Sequence, residues 1–116
     1  MDNYIIYHNP RCSKSRQTLS IMNENNANIR IIEYLTDPPT AKELEDISRK
    51  LAISPMDFIR KKESEFTELG LNRYNGSDSE LCKIMSKNPK LIERPIVVRG
   101  HNAIIGRPPE NVLELL

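Results

Sequence analysis

The chain has 116 residues, the length of one domain, and its 38% hydrophobic and 28% charged residues strike an ordinary globular balance. A net charge of +1, from 17 Lys and Arg against 16 Asp and Glu, argues against a nucleic-acid binder working by bulk charge. No apolar run approaches the ~20 residues that cross a bilayer, and two cysteines, Cys12 and Cys82, are too few for a disulfide scaffold.

The opening MDNYIIYHNP does not read as an export signal, so a reducing cytoplasm is the expected location. Residues 4–7, aromatic and β-branched, predict a strand that stops at Asn9-Pro10. Leu19 and Met22 at helical spacing predict a helix over 13–25, and residues 29–35 predict a second strand closed by Asp37-Pro38-Pro39. Strand, helix, strand implies a parallel pair joined by a right-handed crossover.

Helix starts follow at three places. Thr40 and Glu43 have the spacing of a capping box, as do Ser77 and Glu80. Ser54-Pro55 predicts an N-cap with proline at the first helical position, which would put Arg60 on the helix that follows. Residues 95–98 and 103–105 flank Arg99-Gly100-His101-Asn102 as a β-hairpin, and Pro108-Pro109 opens a short last helix. The order βαβ, helices, ββα is that of an α/β thioredoxin-like mixed sheet. The expected organisation is a single domain over 1–116 with a helical insertion over about 40–88.

Cys12 is the residue with the most chemistry in its setting. Free cysteines are often apolar filler, but one immediately before a helix faces unpaired backbone N–H groups and the positive end of the helix dipole, which lower a thiol pKa. Arg11, Lys14 and Arg16 add positive charge nearby. Ser15 stands where a C-x-x-C pair would carry its second thiol. His8, on the same loop, is either plain surface or a modulator of the thiolate. Cys82, among Leu81 and Ile84, reads as a helix-face residue rather than a resolving thiol. Arg60, Arg94 and Arg107 are each weak signals alone; converging on Cys12 they would form an oxyanion cradle, because guanidinium forks bind tetrahedral oxyanions bidentately.

Y-H-N-P-x-C at 7–12, an arginine in the insertion, E-R-P-I-V-V at 93–98 and G-R-P-P-E at 106–110 resemble the glutaredoxin-coupled arsenate reductases over essentially the whole chain. The Arg-Cys-Ser-Lys-Ser form around Cys12 is similar to a sister branch of that family. The resemblance implies Cys12 as the nucleophile, Arg60, Arg94 and Arg107 as binders of arsenate or a similar oxyanion, His8 as a tuner of the cysteine, and a cis Pro95. It implies that glutathione, as co-substrate, attacks the Cys12-bound arsenic and that a glutaredoxin recycles the mixed disulfide, since Ser15 cannot supply the second thiol. No bound metal, nucleotide, nucleic acid or membrane is implied. Two other readings stay open. An Spx-like transcriptional regulator shares the fold but carries a C-x-x-C switch, and a general thiol oxidoreductase acting on glutathionylated substrates would use Cys12 without all three arginines.

Overall fold

Four strands form one sheet in the computed structural model, which describes residues 3–116: β1 (Asn3–His8), β2 (Asn28–Glu33), β3 (Ile96–Arg99) and β4 (Asn102–Ile105). Their order is β2–β1–β3–β4. Helix α1 (Ser13–Glu24) joins the parallel pair β1 and β2, whereas β1–β3 and β3–β4 are antiparallel. Gly100, at φ +59, supplies the left-handed residue of the two-residue turn between β3 and β4. This is the expected thioredoxin-like arrangement.

The chain divides into two compact units, one made of the chain up to Asp37 with Arg94–Leu116, the other Pro38–Glu93. The second unit is wider at both ends than the insertion expected over about 40–88. In the first unit the core is built from inward positions of the strands, of α1 and of the C-terminal segment. Tyr4, Ile6, Met22, Val97, Val112 and Leu115 are buried together, with Leu19, Ile29 and Ile104 packed against them. The last helix predicted after Pro108 is a six-residue 3₁₀ helix, Pro109–Glu114, that lies against α1.

In the second unit, α2 (Ala41–Leu51) starts on a complete capping box: Glu43 N–H donates to the Thr40 hydroxyl at 3.1 Å and Thr40 N–H to the Glu43 carboxylate at 3.0 Å. A short α3 (Ser64–Glu68), which the apolar pattern does not announce, precedes α4 (Asp78–Lys87), and α4 packs on α2. At the start of α4 only the serine half of the expected box forms among the described residues, Glu80 N–H donating to Ser77 Oγ at 3.1 Å.

The helix expected after Ser54-Pro55 is only a 3₁₀ turn, Pro55–Phe58, so Arg60 does not sit on a helix. Ile59 is instead extended and bridges Ile92 in antiparallel fashion, with Arg60 N–H donating to the Leu91 carbonyl at 2.6 Å and Glu93 N–H to that of Phe58 at 2.9 Å. Pairing with a segment more than thirty residues away claims the backbone groups that a longer helix would have used.

Candidate active site

Strand register brings three distant segments to one end of the sheet. Tyr7 pairs with Ile96, so the exit of β1, which leads to Cys12, lies beside the entrance of β3 at Arg94-Pro95. Ile96 pairs with Ile105, so the exit of β4 at Gly106-Arg107 lies there too. Gly106 N–H donates to the Pro95 carbonyl at 2.9 Å and ties two of the segments together. The Arg94–Pro95 peptide bond is cis, as the resemblance implies, and so is Arg107–Pro108.

Gly106 is needed for this closure. A Cβ there would stand 2.5 Å from Thr18 Oγ1 and 2.8 Å from Pro95 Cγ, closer than side-chain carbons ever come. Thr18 itself is wholly buried on α1, its hydroxyl donating to the Lys14 carbonyl at 2.8 Å.

Cys12 is the N-cap residue of α1, with extended backbone. No cap hydrogen bond of ordinary geometry reaches its side chain, yet the helix-mouth N–H groups still act on the sulfur. Burial raises the thiol pKa, and this is outweighed by the Ser15 N–H, the hydrogen bond and charge of Arg94, and the Lys14 N–H. The thiol is therefore held below its ordinary value. Arg107 adds a second guanidinium: Nη2 stands 3.6 Å from Cys12 Sγ while Nε donates to the Arg94 carbonyl at 2.7 Å. Arg94 pays a desolvation cost that its contacts with the Cys12 sulfur and the buried Tyr34 outweigh, so it stays firmly protonated. Tyr34 had no signal in the sequence, since it lies at the end of an apolar run.

His8 and Ser15 are both buried, and Nδ1 of His8 lies 2.6 Å from Ser15 Oγ. Burial pushes the His8 pKa down; the Glu33 carboxylate opposes this and Arg16 adds to it. Arg60 belongs to the second unit, where Nε meets Glu63 at 3.2 Å and Nη1 meets Glu93 at 3.6 Å. Cys82 is fully buried on α4, its thiol pushed up to about 11 by burial and by the Glu45 and Asp78 carboxylates. Thus Cys12, Arg94, Arg107, His8, Ser15 and Pro95 share one end of the sheet, and Arg60 is anchored by acidic neighbours within its own unit.

Fold and site together define a thioredoxin-like protein that carries one cysteine at a helix mouth beside guanidinium groups. The ArsC family model matches residues 7–115, and the chain belongs to that family. It is 47% identical over 114 residues to an arsenate reductase of Haemophilus influenzae, covering 97% of each chain. It is 46% identical over 112 residues to the uncharacterized protein YfgD of Escherichia coli, covering 96% of this chain and 94% of that one. Among solved structures, the arsenate reductase from Vibrio cholerae matches with a TM-score of 0.95 at 42% identity, over 99% of this chain and 98% of that one.

Proposed function

We propose that this protein reduces arsenate to arsenite with Cys12 as the nucleophile and glutathione and glutaredoxin as external reductants. The observation that carries this reading is the Cys12 thiol, held toward its thiolate by Arg94 and the helix mouth with Arg107 Nη2 at 3.6 Å. An arsenate dianion approaching a thiolate meets like charge, and guanidiniums on both reactants offset that repulsion. Relatives named arsenate reductase add support.

The thiolate displaces one arsenate oxygen, which leaves as water after protonation, and an S–As(V) bond forms. Glutathione supplies the second thiol. As the S–S bond forms between the two sulfurs, the bond from Cys12 to arsenic breaks and its electron pair stays on arsenic, which leaves as As(III) arsenite. A glutaredoxin thiolate then takes the glutathionyl group from Cys12 and returns the free thiolate. Two thiols are oxidised for each arsenate reduced. Arg94 and Arg107 hold the oxyanion. A reducing cytoplasm, where both cysteines stay free, suits this cycle.

The test is NADPH consumption coupled through glutathione reductase, glutathione and glutaredoxin. The rate should depend on arsenate and vanish without glutathione. A rate that is independent of arsenate, but appears with a glutathionylated disulfide, would overturn the proposal in favour of a general thiol oxidoreductase.

A further inference from the structure

The reduction just described makes no use of the Ser15 hydroxyl, although it is the side chain that stands where a second sulfur would complete a C-x-x-C pair. The side chain is nonetheless fully committed. Ser15 is 0% exposed, a position where a hydroxyl without partners would be costly. Its Oγ accepts the Asn9 N–H at 3.1 Å and lies 2.6 Å from His8 Nδ1.

A hydroxyl has one proton to give. With the Asn9 N–H taking up a lone pair, Nδ1 of His8 is the acceptor within reach of that proton. His8 then carries its own proton on Nε2. This assignment requires a neutral ring, which agrees with the burial that lowers the His8 pKa against the opposing charge of Glu33, its partner in the β1–β2 register, with Arg16 acting alongside burial.

Asn9, which Ser15 holds, is also what holds the loop carrying Cys12. The Asn9 carbonyl accepts the Cys12 N–H at 3.0 Å, and Asn9 Oδ1 accepts the Arg11 N–H at 3.0 Å. The Ser15 main-chain N–H acts directly on the Cys12 sulfur. The loop from His8 to Cys12 therefore closes on a single residue at the third position of α1, through its side chain at one end and its main chain at the other.

We infer that Ser15 is a positioning residue: its hydroxyl locks His8 as the Nε2–H tautomer, pins Asn9, and so keeps the Cys12 sulfur in place at the helix mouth. The serine of this Cys-x-x-Ser stretch is then a clamp on the nucleophile, in the place where a dithiol enzyme keeps its resolving sulfur. The inference rests on Cys12 as the reactive thiol of the proposed function, and not on arsenate as its substrate.

Two measurements on the full chain decide it. Long-range proton–nitrogen NMR of the wild type near neutral pH should show His8 with an unprotonated Nδ1 and a protonated Nε2; a protonated Nδ1 would overturn the inference. Ser15→Ala should lose this tautomer preference and slow Cys12 alkylation by iodoacetamide roughly fivefold at pH 7, the size of one net hydrogen bond, with an upward shift of the alkylation midpoint. Ser15→Thr, which keeps the hydroxyl, should recover part of that rate. A folded alanine variant with an unchanged His8 spectrum and alkylation profile would also overturn it, and the wild-type spectrum decides alone if that variant does not fold. Both readouts are taken without arsenate, so a failure of arsenate turnover would sink the proposed reaction and leave this result standing.

Discussion

Replacing Arg107 with alanine removes the guanidinium whose Nη2 stands 3.6 Å from Cys12 Sγ. At that separation two unit charges interact by about 1 kcal/mol in bulk water and about 4–5 kcal/mol at an effective dielectric constant of 20. Arg107 is exposed, so solvent screening brings the value to the lower end, about 1–1.5 kcal/mol. That corresponds to roughly one pKa unit. Losing a cation beside a thiolate favours the thiol, so the Cys12 midpoint should rise by about one unit in Arg107→Ala. Arg107→Lys should recover less than half of it, because an ammonium cannot donate to the Arg94 carbonyl and to the sulfur side with the same planar fork. With arsenate the fork is lost as well, and kcat/KM should fall roughly ten- to a hundredfold. The depressed thiol pKa also feeds into stability. Its contribution is fully present above the unfolded thiol value and is lost as pH falls through the lower folded value, so Arg107→Ala should gain less stability than the wild type on going from neutral to alkaline pH. The assay is the rate of iodoacetamide alkylation against pH, with steady-state kinetics on the same samples. An unmoved midpoint together with unchanged kcat/KM would refute the electrostatic reasoning.

Cys12→Ser should abolish arsenate turnover while Cys82→Ala keeps most of it, and peptide mapping after alkylation at pH 7.5 should place the label on Cys12. With its pKa pushed to about 11 by burial, Glu45 and Asp78, Cys82 is a thiolate in fewer than about one molecule in a thousand at that pH, so preferential labelling of Cys82 would reverse the assignment. Gly106→Ala should drive the Pro95 and Thr18 side chains apart, since the new Cβ meets them at 2.8 and 2.5 Å. A cost of about 1–3 kcal/mol is expected, read as a fall of several degrees in Tm and a loss of activity; an unchanged melting curve with full activity would show that the contact yields freely.

Several features of this protein are written within a few residues of sequence. The Thr40–Glu43 box forms as spaced, because its donors and acceptors lie within one helical turn. Gly100 at φ +59 turns the hairpin where the sequence places it, and Cys12 sits at the start of α1 as Asn9-Pro10 implies. The Arg94 and Arg107 motifs were legible by resemblance, yet their proximity to Cys12 was not local information. It follows from the pairing of Tyr7 with Ile96 and of Ile96 with Ile105, across separations that no spacing rule spans. The same nonlocal pairing overrode a local signal after Ser54-Pro55, where the Ile59–Ile92 bridge leaves Arg60 off the expected helix. Helix α1 makes the point in side chains: its buried positions are Ser15, Thr18 and Met22, while Leu19 stays partly exposed. An apolar pattern finds the helix but misses that polar stripe. A hydroxyl can be buried only where the tertiary structure supplies its partners, and His8 and the Asn9 N–H reach Ser15 only once the strand, loop and helix have folded onto one another.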